Sequence, residues 1–143
     1  MSAAGLMTLD NIKKEGIRHE QNLVKIFKDN DFTSCRLPSS SARSPDIIAG
    51  DGEAIFIIEV KTTNTNYIRI NKSQIATLKR YAHDLKAKPY IAVKFLNKSN
   101  WLFLETKDLK ENDKMLTLDY NRAALRGFTI EKLISNELQT RLM

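Results

Sequence analysis

The stretch Ala54-Ile55-Phe56-Ile57-Ile58-Glu59-Val60-Lys61 constrains this chain more than any other. Side chains alternate along a strand, so Phe56, Ile58 and Val60 belong to one face and Ile55, Ile57, Glu59 and Lys61 to the other. Before Glu59 both faces are apolar, which implies a strand covered on both sides. That strand then runs into a carboxylate and an ammonium that share a face. Two readings stand at this point: either the strand surfaces at Glu59 and both charges reach water, or the charges are held inside for a purpose.

The flanking pattern supplies the cover. Residues 12–29 have helical period, with Ile17, Leu23, Val24, Ile26 and Phe27 on one broad apolar face. Residues 32–37 read as a short strand, and Pro38 to Pro45, polar between two prolines, as a loop. Strands over 46–49 and 54–62 are joined by Gly50-Asp51-Gly52-Glu53, a hairpin signal. Tyr67 to Ile70 alternates as a short edge strand would. Asn71 then caps a helix running to about residue 86, with Ile75, Leu78, Tyr81, Ala82 and Leu85 inward. Residues 89–96 and 101–104 are two apolar strands around a turn, 115–118 is a further strand, and 129–141 closes the chain as a helix. Helices interspersed with strands point to an α/β fold, a central mixed β-sheet flanked by α-helices.

A chain of 143 residues is most simply one domain, long enough to bury a sizeable core. Residues 1–11 are expected as a loose lead-in, and 106–143 as a C-terminal strand and helix packed on the same domain. Its 23 Lys and Arg against 17 Asp and Glu leave a net charge of +6, which turns the partner list toward nucleic acid, although solvated lysines alone give the same sum. No apolar run approaches the roughly 20 residues that span a bilayer, so no membrane association is expected. The N-terminus lacks the basic start of a signal peptide. The lone Cys35 excludes an internal disulfide, fits a reducing cytosol, and reads as a small core or strand residue rather than a nucleophile.

The first helix shifts the balance toward the second reading of Glu59. At about 100° per residue, Glu20 falls in the middle of the stripe made by Ile17, Leu23, Val24 and Phe27, and so faces the sheet. An unpaired carboxylate there costs several kcal/mol or stays protonated. It needs a structural lysine, or a cation shared with other acids, and Asp46 and Glu59 occupy strand positions able to face the same place. Three carboxylates, Glu20, Asp46 and Glu59, converging with one lysine suit Mg²⁺, which takes hard oxygen ligands and keeps waters; Mn²⁺ is expected to substitute. Phosphodiester cleavage uses that chemistry: the ion neutralises phosphoryl charge and acidifies a bound water. Asp46, Glu59 and the Val60 backbone carbonyl are the expected ligands. Lys61 would orient the attacking water and stabilise the negative charge of the transition state.

Asp-x12-Glu-x-Lys after Pro45 fits the pattern of the PD-(D/E)xK nucleases. More of the chain resembles one branch of that superfamily, the archaeal Holliday junction resolvases. The matching stretches are Lys14-Glu15-Gly16, Arg36-Leu37-Pro38-Ser39-Ser40, Pro45-Asp46-Ile47-Ile48-Ala49-Gly50, Ile58-Glu59-Val60-Lys61, Pro89-Tyr90-Ile91-Ala92-Val93-Lys94-Phe95 and Trp101, in the family's order over about residues 13–105. The resemblance implies a restriction-endonuclease-like fold and a magnesium-dependent homodimer. Such a dimer would place paired nicks in opposing strands of a four-way DNA junction during recombination and repair, in the cytoplasm and at the nucleoid of an archaeal cell. It assigns Glu20, Asp46, Glu59 and Lys61 to the metal site, Ser40 to catalysis near the scissile phosphate, and Arg36 to a phosphate contact. The chain departs from the family pattern at Gln21, often arginine, and at Ser41, often glycine. A sliding-clamp or recombination-protein partner is not readable from the residues.

Three rival readings stand beside it: another nuclease of the superfamily, which would cut linear duplex as readily; a DNA-binding relative without catalysis; and a basic α/β protein with no nucleic-acid role, which leaves the placement of Glu20 unexplained. Arg18, Arg43, Arg69, Lys72 and Lys79 are further expected phosphate contacts, each of which could equally be solvated. His19 and His83 read as surface residues, and Gln74 as the third residue of a capping box begun by Asn71. Trp101, Phe103 and Tyr90 read as core, with a share in a dimer interface as the alternative.

Overall fold

The structure, a computed structural model, describes residues 8–38 and 44–142. Helix α1, Leu9–Asp29, starts earlier than its apolar stripe does, because the Thr8 hydroxyl accepts the Asn11 N–H at 3.1 Å and caps it. Residues 9–11, expected in a loose lead-in, are therefore helical. Its inner face is Leu23, Val24 and Phe27, all buried. Ile17, expected on that face, is 37% exposed.

Strands β1 (Thr33–Arg36), β2 (Ile47–Gly50) and β3 (Ile55–Thr63) form an antiparallel meander. The β2–β3 turn is held by Asp51, whose carboxylate accepts the Glu53 and Ala54 N–H groups. Strand β4 (Tyr67–Asn71) leads into α2 (Lys72–Asp84), whose start carries the expected capping box: Gln74 Oε1 accepts the Asn71 N–H at 3.1 Å. β5 (Lys88–Phe95) then returns parallel to β3, and β6 (Leu102–Leu104) pairs antiparallel with β5. The result is a five-stranded mixed sheet of order β1-β2-β3-β5-β6, with β3 in the middle. The fold is the α/β class expected from the sequence.

The expected edge strand β4 does not join that sheet. It pairs with β8 (Met115–Asp119), which also pairs with the two-residue β7 (Lys110–Glu111), in a separate three-stranded sheet. Short helix α3 (Tyr120–Arg126), capped by the Asp119 carboxylate, and α4 (Ile130–Leu142) complete the chain.

Two apolar clusters cover the two faces of the central sheet. Phe56 and Ile58 pack with Leu23 and Phe27 of α1, with Phe103, and with Ile130 and Leu133 of α4. Ile57 packs with Ile75 and Leu78 of α2, with Ile91 and Val93, and with Ile68, Ile70, Leu116 and Leu118 of the small sheet. This is the double cover that β3 required. Trp101 and Phe103 are buried, as read, and the Trp101 indole N–H donates to Asn22 Oδ1 at 3.2 Å, tying α1 to the far strands. Leu85, expected inward, is 45% exposed because α2 ends at Asp84. Cys35 is exposed on edge strand β1 rather than in the core.

Candidate active site

Glu59 does not surface. It is 5% exposed, in the middle of the central strand. The antiparallel register sets Ile47 against Ile58, so the next residue back, Asp46, stands across from Glu59 just before β2 begins. Asp46 is fixed by its backbone on both sides: its N–H donates to the Ile58 carbonyl at 3.0 Å and its carbonyl accepts the Leu37 N–H at 2.9 Å. Its side chain turns onto β3, where Oδ2 accepts the Val60 N–H at 2.8 Å. The two carboxyl groups share a side-chain hydrogen bond, and Lys61 sits within Coulombic reach of both.

Burial drives the electrostatics. Glu59 is pushed up to about 8, first by loss of water and then by the Asp46 charge, with Lys61 opposing. Asp46 is also raised by burial, against the pull of the Val60 N–H, Lys61, the Glu59 hydrogen bond and Arg36. At neutral pH the pair therefore keeps a proton, because two like charges side by side in a site short of water do not both ionise.

Glu20 is turned inward as its place on α1 required, with 16% of its side chain exposed. It does not join the pair directly. Arg36, at the end of β1, donates through Nε to Glu20 Oε1 at 3.0 Å, and this bond and charge oppose the upward push that burial and Asp46 exert on the Glu20 carboxyl. Among the described residues no group of three or more His, Cys, Asp or Glu side chains is arranged to hold a metal ion. The chain thus brings Asp46, Glu59 and Lys61 together and sets Glu20 beside them on an arginine.

The other expected residues are placed as follows. Ser40 and Arg43 lie outside the described residues. Arg18 is on the outer side of α1, paired with Glu15 at 2.6 Å. Lys72 pairs with Glu111 at 3.0 Å. The Arg69 guanidinium lies 5.6 Å from the centroid of the Tyr67 ring. His83 is exposed, as read, whereas His19, read likewise, is half-buried, with 17% of its side chain exposed, and burial lowers its pKa. Beyond Lys61 the chain forms an open groove of about 380 Å³ lined by Lys61, Thr62, Thr63, Thr65, Tyr67 and Arg69. Sequence reasoning missed it, although the threonine run directly after Lys61 was its visible trace.

A central strand carrying Glu and Lys two residues apart, across from an Asp just before the neighbouring strand, has the arrangement of the PD-(D/E)xK pattern. The archaeal Holliday junction resolvase (hjc) family matches residues 11–142, and the chain belongs to that family. It is 30% identical over 131 residues to crossover junction endodeoxyribonuclease Hje of Saccharolobus solfataricus, covering 87% of this chain and 96% of that protein. It is 27% identical over 111 residues to crossover junction endodeoxyribonuclease Hjc of Archaeoglobus fulgidus, covering 76% and 81%. The solved structure of the Archaeoglobus fulgidus Hjc, a Holliday junction resolvase, superposes with a TM-score of 0.76 at 25% identity, covering 83% of this chain and 94% of that one.

Proposed function

We propose that this chain is a Holliday junction resolvase, an endodeoxyribonuclease that hydrolyses phosphodiester bonds in opposing strands of a four-way DNA junction. The observation that carries the reading is the half-buried Asp46 set against the buried Glu59 with Lys61 beside them, in a chain of this family.

The donor set fits a divalent cation. Two carboxylates that together retain a proton at neutral pH are short of positive charge, and a hard cation supplies it. Asp46, Glu59 and the Val60 carbonyl would hold the ion, Mg²⁺ with Mn²⁺ as a substitute. Glu20, held beside the pair by Arg36, would add a further carboxylate near the ion. When bound, the ion neutralises phosphoryl charge and makes a water a better nucleophile.

The remaining chemistry belongs to the chain's own groups. Val60 N–H fixes Asp46 Oδ2, so the carboxylate is oriented before any ligand arrives. Lys61, three-donor and cationic, orients the attacking water and stabilises charge that grows on the phosphoryl oxygens. Ser40 acts near the scissile phosphate. Arg36, Arg43, Arg18, Arg69 and Lys72 hold the DNA backbone. Recognition rests on junction shape and phosphate geometry rather than on base edges. A two-fold substrate cut in two places is served by a two-fold enzyme, so the active species is a homodimer; a monomeric mass at micromolar concentration by sedimentation would exclude it.

The test is cleavage of labelled four-way junction and linear duplex, each with Mg²⁺ and with chelator. Paired nicks in the junction alone, dependent on the ion, are expected. Equal digestion of linear duplex removes the resolvase reading and leaves a nuclease. Binding without cutting under every ion leaves a DNA-binding relative.

A further inference from the structure

Strand β3 does not stop at the acid pair. It continues through Thr62 and Thr63, and the chain then turns at Thr65 into β4, so that the groove starting at Lys61 ends at Tyr67 and Arg69. This turn is firmly built. The Thr63 and Thr65 hydroxyls are 2.8 Å apart, and the Thr65 N–H donates to Thr63 Oγ1 at 3.1 Å. Thr65 Oγ1 accepts the Tyr67 N–H at 3.2 Å and donates to the Tyr67 carbonyl at 3.0 Å. Thr63 is in turn anchored to the central sheet, its carbonyl accepting the Leu96 N–H at 2.8 Å. Tyr67 is thus presented from a backbone pinned on both of its polar atoms.

On β4, Ile68 and Ile70 go into the core, while Tyr67 and Arg69 share the solvent face. Tyr67 is 45% exposed. A single exposed aromatic is ordinary. An exposed ring under a guanidinium, in a rigid groove that opens from the lysine of a phosphodiesterase site, is a specific combination. Rings and guanidinium planes take the faces of nucleobases, and lysine and arginine take the phosphates between them.

A duplex offers no free base face, because every base is covered by its neighbours. The branch point of a junction does, since bases there have lost part of their stack and cost less to move. We propose that Tyr67 is a branch-point sensor: it stacks on a nucleobase beside the cut, while Lys61 and Arg69 hold phosphates of the same strand. This rests on the junction-cutting reading above and adds a residue that would separate junctions from plain duplex.

The test uses the full chain in chelator, so that binding is read without cutting. Parent, Tyr67→Phe, Tyr67→Ala and Arg69→Ala are titrated into a four-way junction with 2-aminopurine beside the branch point, and into linear duplex. Parent and Tyr67→Phe should bind the junction tightly and change the 2-aminopurine fluorescence. Tyr67→Ala should lose that change and about tenfold or more of its junction affinity, with duplex affinity unaltered. Arg69→Ala should keep the fluorescence change while its log–log salt slope falls by about 0.9. Parent-like fluorescence and affinity in Tyr67→Ala overturns the sensor, as does an equal loss on junction and duplex. An unaltered salt slope in Arg69→Ala removes the arginine from it. A parent that binds duplex as tightly as junction overturns the junction reading itself, a result visible without any variant.

Discussion

Glu59 is the residue that shapes the chemistry, and its environment makes it unstable as an anion. Its folded pKa of about 8 lies above its ordinary value of 4.5, so the folded state holds the proton more firmly than the unfolded chain does. The associated stability is complete below about pH 4.5 and is lost as pH rises through about 8. Glu59→Gln, which keeps the shape and cannot ionise, should therefore melt above the parent at about pH 9 in chelator, by an amount of order a few kcal/mol, with the gap closed near pH 5. Calorimetry in both buffers checks it; a constant gap would deny the buried charge. The same substitution, like Asp46→Asn, should reduce junction cleavage by at least about a hundredfold while leaving junction binding intact, measured by gel shift. Arg36 carries a second residue-scale prediction. If it served only as a phosphate contact, removing it would leave folding untouched. Because it holds the half-buried Glu20, Arg36→Ala should cost about 1–3 kcal/mol, read from the denaturant midpoint.

At the scale of elements, β3 was the most legible part of the chain. Its doubly apolar pattern required cover on both faces, and α1 and α2 provide it. Glu20 was legible for the same reason, as an acid on an inner helical face. What stayed hidden depends on pairing between distant segments. Two residues of β7 and seven of α3 carry too little periodicity to be seen alone. Strand β4 was visible as a strand, but its pairing with the distant β8 is a contact that alternation does not encode. The Arg36–Glu20 bond spans sixteen positions and two elements, so it could not be read from either residue's neighbours. The start of α1 was written in a single residue. Thr8→Ala should cost about 1 kcal/mol by denaturant titration, whereas a loose lead-in would show no change.

For the molecule as a whole, the net charge of +6 and the groove beyond Lys61 describe a protein that grips backbone. Junction affinity should fall steeply with salt, with a log–log slope of roughly −0.9 for each phosphate neutralised, as fluorescence anisotropy across a salt series would show. Among the described residues no helix is long and apolar enough to cross a membrane. The proposed seat of the cation is the carboxyl pair formed by Asp46, just before β2, and Glu59 of β3. The direct measurement is calorimetric titration of Mn²⁺ into the DNA-free protein at pH 7, in two buffers of different ionisation enthalpy. Ion entry must expel the shared proton, so about one proton per ion should be released, and none in Asp46→Asn or Glu59→Gln. Binding with no proton released, or release that survives both substitutions, would place the ion elsewhere and contradict the account.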